Sequence, residues 1–388
     1  MKLIHWLSFT ACVWPSQINA QDAQKHLGHP TQEILPDEPS LHTKPKNLAA
    51  ILPSPLAQLE VTSVPYPECG DEEVIIKNHF VAINPVDWKI QSPMGRNFNL
   101  TYPVILGEDV AGEVVEVGSK IKSKFSVGDR VMAHPLGLGN GAAYGGFQLY
   151  PVLKAATVSK IPESVSFKEA AVLPLSISTA AAGLFMKSTL GLEYPSTDSK
   201  ISERAKGSTL LVWGCSSSVG SSVVQLAHAA GYSLVTTASP SNYEYCKDLG
   251  ADHVLDYHNA DIVDQLISIL KGRKVVGAYD AIGSEITVRQ SATILHALGG
   301  GKIASVGLAP EVFSDVEVSR VSSGNIVTQE PEVADKIWGT FVPWALESGN
   351  LVGRPKALVV AKGLENVQAG LDRQKEGVSA LKIEVVLD

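Results

Sequence analysis

Residues 210–242 read LLVWGCSSSVGSSVVQLAHAAGYSLVTTASPSN. An apolar run, a glycine-bounded polar turn, an Ala/Val-rich stretch of helical period and a second β-branched run follow one another without a gap. That order is a strand, a tight turn, a crossover helix and a parallel strand, the unit with which a doubly wound nucleotide-binding sheet begins. Such a unit needs glycine where the backbone approaches a pyrophosphate, and its helix N-terminus offers free N–H groups and the positive end of the dipole. Gly214 and Gly220 bracket Cys215, Ser216, Ser217, Ser218 and Val219. The three-glycine fingerprint is absent, so phosphate oxygens would be met by serine hydroxyls and N–H groups. The bland alternative is a serine-rich turn without a ligand.

The end of the second strand discriminates between nucleotides. An acid there binds the ribose 2′-hydroxyl of NAD and repels the extra phosphate of NADP. This chain has Thr236, Thr237, Ala238, Ser239, Pro240, Ser241, Asn242 and Tyr243, all neutral. The segment therefore favours NADPH, although Ser-Pro-Ser-Asn also forms a hydroxyl-capped turn without any ligand.

Working outward, strand-helix alternation continues from residue 208 to about 307, as a parallel sheet with crossover helices requires. Upstream, NLAAILP, LAQLEVTSV, EEVIIKNHFVAI, DVAGEVVEVG and GDRVMAH alternate apolar and polar residues between turn signals. These are strands of a mainly antiparallel barrel or sandwich. Residues 168–187 are helix-like with a proline-marked break, residues 191–208 form a polar surface loop, and the closing SALKIEVVLD is a strand free to return to the first domain.

With 388 residues, 45% hydrophobic and 19% charged, the chain is long enough for two domains with a substantial core. A net charge of -8 without a Lys/Arg-rich run argues against a nucleic-acid surface and for small-molecule chemistry. Cys12, Cys69, Cys215 and Cys246 are scattered without a CxxC pair or a metal-ligand spacing, and read as lone buried thiols.

Asn84-Pro85-Val86-Asp87-Trp88-Lys89, Leu106-Gly107-Glu108-Asp109 with Gly112, Val127-Gly128-Asp129-Arg130-Val131, Leu173-Pro174 with Ser178-Thr179-Ala180, and Leu249-Gly250-Ala251-Asp252 before Asp256-Tyr257 fall in a recognisable order. From about Asn47 to Asp388 the chain resembles the medium-chain dehydrogenase/reductase superfamily. The Asn-Pro-x-Asp-x-Lys segment is similar to its zinc-independent quinone reductase and enoyl reductase branches. The Ser-Pro-x-Asn element resembles the fungal trans-acting enoyl reductases that serve polyketide synthases. Ser217 and Ser218 stand where the quinone reductase branch has a glycine pair. The resemblance implies an α/β chain with a GroES-like β-barrel catalytic domain over 47–172, completed by about 338–388, and a Rossmann doubly wound cofactor domain over 173–337.

Zinc members of that superfamily need three N/S/O ligands with one position left open. Here Asn84, Pro85 and Leu106 occupy the ligand positions and the four-Cys lobe is missing, so no metal is expected. A metal-free hydride reductase works by holding donor and acceptor face to face and stabilising developing enolate charge. Lys89 is the first candidate for that charge; it is equally placed to contact cofactor phosphate, or to be a surface lysine. Asp87 is expected to orient its loop. By resemblance Thr179 lies near the nicotinamide carboxamide, Tyr257 near the adenine-ribose end, and Val378 and Ser379 near the cofactor from the C-terminal side. Catalysis is thus assigned to Lys89 and Thr179. Cofactor binding is assigned to Val86, Asp87, Trp88, Lys89, Gly214, Ser216, Ser217, Ser218, Val219, Gly220, Ser239, Pro240, Ser241, Asn242, Tyr257, Gly307, Val378 and Ser379.

The expected activity is NADPH-dependent reduction of an activated C=C in a small-molecule or carrier-bound acyl substrate, with a polyketide synthase as partner and a monomeric or homodimeric enzyme. The rivals are a quinone oxidoreductase and a non-catalytic NADPH-binding protein. Residues 1–46 combine Lys2, a short apolar run and Ala20 as a secretory signal would, followed by an aperiodic stretch expected to be disordered. NADPH and a carrier-bound substrate are intracellular, so the expectation is a cytoplasmic enzyme despite that signal-like start.

Overall fold

The computed structural model describes residues 44–198, 200–307 and 309–387. The signal-like and disordered reading covers residues 1–46, of which 1–43 lie outside the described residues.

A six-stranded parallel sheet runs in the spatial order His253–Leu255, Ser233–Thr237, Ser208–Trp213, Lys274–Asp280, Gly301–Ser305, Val316–Arg320. The central strand Ser208–Trp213 is buried along its whole length because helices cover both faces. Leu210 and Val212 join one apolar cluster with Val223, Val224 and Leu226 of the helix Ser218–Ala229 and with Ile177 and Ala181 of the helix Pro174–Phe185. Leu211 and Trp213 join the other with Leu266, Leu270, Ala292 and Leu295. The carboxyl ends of the strands, where a ligand crevice opens in such sheets, carry Gly214, Ser239, Asp280 and Gly307.

The second sheet is mostly antiparallel, in the order Lys356–Lys362, Leu381–Val386, Glu73–Ala82, Val110–Val117, Arg130–Ala133, Val158–Lys160, with Val152–Lys154 also paired to Glu73–Ala82. A three-stranded sheet, Glu60–Val64, Asn47–Leu52 and Val104–Ile105, lies with it around a core of Ile76, Val81, Leu106, Val114, Phe147 and Leu153. These two sheets are the GroES-like part of the fold. The C-terminal strand pairs with Glu73–Ala82 in the register Glu384↔Ala82. Ile83 N–H then donates to the Ile383 carbonyl at 2.9 Å, which brings residues 382 and 84, distant in sequence, side by side.

Pro174 opens the helix Pro174–Phe185 at a position whose missing N–H costs nothing. The fully buried Tyr279 packs beneath it and donates its hydroxyl to the Thr179 carbonyl at 2.8 Å. Trp338, also buried, donates Nε1–H to Ser178 Oγ at 3.0 Å. Each such aromatic stabilises the helix position by about 2–3 kcal/mol of apolar burial.

Candidate active site

The turn after Ser208–Trp213 is built from glycine geometry and serine hydroxyls. Gly214 has φ +86, a left-handed conformation that suits glycine, and its N–H donates to Thr237 Oγ1 at 3.0 Å. Ser217 caps the helix Ser218–Ala229, its hydroxyl accepting from Gly220 N–H at 3.0 Å and donating to the Gly214 carbonyl at 2.9 Å. A Cβ on Gly220 would lie 2.1 Å from the Gly214 carbonyl oxygen. Gly307 is equally tight, since its Cβ would lie 2.1 Å from the Gly283 carbonyl oxygen. Ser218 Oγ is buried without a hydrogen-bond partner at the helix N-terminus, where an anion is favoured. A pyrophosphate fits this cradle. Ser216 and Val219 flank it half-buried, and Ile282, which the sequence reading missed, lays its side chain over Gly214.

Just past the strand Ser233–Thr237, Ser239 is the N-cap residue of the short 3-10 turn Pro240–Asn242, with Pro240 and Ser241 exposed. Ser239 Oγ and Tyr257 Oη are 3.1 Å apart, and Asn242 donates Nδ2–H to Ser379 Oγ at 3.0 Å. The fold therefore brings Ser239 to Tyr257 and Asn242 to Ser379, two polar pairs of neutral side chains joined by the Asn242 N–H donating to the Ser239 carbonyl at 2.8 Å. Val378, next to Ser379, is half-buried against the barrel core. Asp256 precedes Tyr257 in the sequence, and its carboxylate accepts from the His258 backbone N–H, which with the His258 ring holds its pKa low.

The helix Pro85–Gln91 carries the other candidates. Asn84 and Asp87 form a capping box, with Asn84 N–H donating to Asp87 Oδ2 at 2.8 Å. Asp87 Oδ1 also accepts from Gly107 N–H at 3.2 Å, so this carboxylate organises its loop; burial pushes its pKa up to about 8 against the pull of the Asn84 N–H. Val86 and Trp88 pack on the barrel core, and the exposed Lys89 holds its ammonium 5.9 Å from the Trp88 ring. Thr179 is half-buried, its hydroxyl donating to the Leu175 carbonyl at 2.7 Å.

Between these helices lies a buried polar group that motif reading did not assign. Lys382 Nζ is 2.7 Å from Asp109 Oδ2 and 2.5 Å from Asn84 Oδ1. Asn84 Nδ2–H donates to Asp109 Oδ2 at 2.6 Å, and Asp109 Oδ1 accepts from Leu175 N–H at 2.5 Å. Glu384, on the same strand as Lys382, has both carboxylate oxygens buried and unpartnered, and burial pushes it up to about 9. Nearby, His134 Nε2 approaches Glu108 Oε2 at 3.1 Å, both residues buried.

The reading of four lone thiols is corrected. Cys215 and Cys246, 31 residues apart, are joined by a disulfide across a Cα–Cα distance of 6.1 Å, while Cys69 is free. Neighbouring parallel strands bring the turn and the helix Tyr243–Asp248 together, a juxtaposition with no local spacing signal. Cys12 lies outside the described residues.

Residues 70–163 match the alcohol dehydrogenase GroES-like domain, and residues 218–347 match the zinc-binding dehydrogenase domain. A dehydrogenase of Aspergillus niger, azaJ, is 38% identical over 353 residues, 88% of this chain and 99% of that protein. The chain belongs to the medium-chain dehydrogenase/reductase family. Another relative, the trans-enoyl reductase himH of Aspergillus japonicus, is 39% identical over 319 residues, 81% of this chain and 89% of its own. The fold is shared with the CurK enoyl reductase, with a TM-score of 0.70 and 21% identity across 88% of this chain and 99% of that one.

Family membership makes the chain an oxidoreductase that uses a nicotinamide cofactor. Zinc, which one family description implies, does not fit. Among the described residues no three His, Cys, Asp or Glu side chains converge on a metal position. Glu108 and His134 offer two donors, and the Asn84 amide is already held by Asp109 and Lys382.

Proposed function

We propose that the protein is an NADPH-dependent, zinc-independent reductase of an activated C=C, an enoyl thioester or enone presented free or on an acyl carrier. The observation that carries the substrate class is its relation to a trans-enoyl reductase along most of both chains. NADPH is supported by the neutral pairs Ser239–Tyr257 and Asn242–Ser379 just past the second strand.

When bound, reduced nicotinamide supplies a hydride for the β-carbon. The turn Gly214–Gly220 and the orphan Ser218 hydroxyl hold the pyrophosphate at a helix N-terminus. Thr179 would border the nicotinamide, and the Lys89 ammonium would stabilise the enolate oxygen as negative charge develops, with the α-carbon proton taken from solvent. A polyketide synthase supplying the carrier-bound acyl chain, and an intracellular site of action, belong to the same proposal.

The test is NADPH oxidation with a crotonyl-pantetheine thioester beside a benzoquinone, each with NADPH and NADH. Higher kcat/KM for thioester and NADPH supports the reading. Higher kcat/KM for the quinone makes the protein a quinone oxidoreductase, and NADPH binding without oxidation of either makes it a binding protein. Activity is expected to survive exhaustive chelation; stoichiometric zinc whose removal abolishes turnover overturns the metal-free mechanism.

A further inference from the structure

We infer that Lys382 is a positioning residue that sets the Lys89-bearing helix and the Thr179-bearing helix against each other; the inference rests on the reductase reading. The Lys382 side chain is 3% exposed, and its ammonium reaches two acceptors on different segments. Through Asn84 Oδ1 it holds the capping residue of Pro85–Gln91, the helix that carries Lys89. Through Asp109 Oδ2 it holds a carboxylate whose other oxygen accepts from Leu175 N–H, in the first turn of Pro174–Phe185. The Leu175 carbonyl then accepts from the Thr179 hydroxyl, so the chain of bonds from Lys382 ends on that candidate.

A bonded clasp at this place costs desolvation of two charges, and two apolar residues of similar volume often serve stability as well or better. What apolar residues do not supply is direction. The Asn84 amide accepts from Lys382 while donating to Asp109, and without the ammonium its oxygen loses the partner that sets which way it faces. Hydride transfer depends steeply on such placement, since a displacement of about 1 Å far from the chemistry can cost on the order of 100-fold in rate.

The experiment compares wild type, Lys382→Met and the neutral pair Asp109→Asn/Lys382→Met. Lys382→Met alone strands a buried carboxylate and is expected to lose stability; the pair keeps an acceptor for Leu175 N–H and is expected to melt within about 5 °C of wild type. In the pair, kcat is expected to fall by about 10-fold or more with the NADPH Kd within about threefold of wild type. Amide exchange over residues 84–91 should quicken in both variants, with the parallel sheet unchanged. A stable pair with kcat within about threefold of wild type, or with unchanged exchange over 84–91, overturns the inference. Exchange needs no turnover. A wild type inert toward thioester therefore defeats the reductase reading alone, and the exchange result still decides the clasp.

Discussion

The phosphate turn and the junction at Asp109 solve opposite problems with opposite means. Around Gly214 and Gly220 the chain uses close backbone approach and neutral hydroxyls, leaving Ser218 Oγ unsatisfied at a helix N-terminus. At the junction it uses buried charges, and Lys382, Asp109 and Asn84 satisfy one another within the protein. The first arrangement is open to a ligand and local in sequence. The second is closed and long-range, which suits a device that holds elements rather than molecules. At these two places the unsatisfied hydroxyl lies at a helix N-terminus, and the satisfied buried charges lie where distant segments are braced.

The sharpest way to break that contrast is Gly220→Ala. The new methyl would sit 2.1 Å from the Gly214 carbonyl oxygen, a backbone atom that cannot step aside without deforming the turn. NADPH affinity by fluorescence titration should fall by on the order of 100-fold, about 2.7 kcal/mol, with the folded state retained. Binding within a few-fold of wild type would mean that the pyrophosphate does not depend on this approach. Ser239→Asp comes next. A carboxylate beside Tyr257 repels a 2′-phosphate and can accept from a ribose hydroxyl, so kcat/KM for NADPH should drop by roughly 10–30-fold while that for NADH holds or rises. Equal losses with both cofactors would show that the segment contacts something other than the 2′ position.

The same contrast explains what the sequence made legible. The fold was readable because Ser208–Trp213, the turn and Ser218–Ala229 are contiguous, and each obeys a local rule of period, glycine placement or capping. Asn84 and Asp109 stood inside quoted motifs, yet their partnership spans 25 residues and their shared cation lies 298 residues from Asn84, in a strand that reads only as alternation. Even and odd positions of Leu381–Val386 differ by which face they serve, and alternation alone cannot tell a solvent face from an interior polar one. The Cys215–Cys246 bond was hidden for the same reason, since adjacency of strands, not spacing, creates it.

Glu384 gives the smallest effect and the finest test, because it sits on the braced side yet breaks its rule. Its oxygens have no partner although Lys382 is on the same strand face; Asp109 takes the ammonium, and Glu384 is left to burial. Burial raises its pKa from 4.5 to about 9, with nearby Asp109 adding to the rise and Lys382 opposing it. The folded protein therefore keeps a proton on Glu384 that the unfolded chain releases above about pH 4.5. Stability from this group is complete at lower pH and declines as pH rises toward 9, by at most about 1.4 kcal/mol per pH unit. Asp87, raised to about 8, slopes the same way and remains in the variant, so the comparison must be made pairwise. Glu384→Gln is expected to match wild type near pH 4.5 and to exceed it at pH 8 by about 1 kcal/mol or more in urea unfolding. Parallel stability curves for the two proteins between pH 5 and 8 would mean that Glu384 is ionised in the folded state. Lys382 would then answer two acids, and the brace would be a network of charges, not a single clasp.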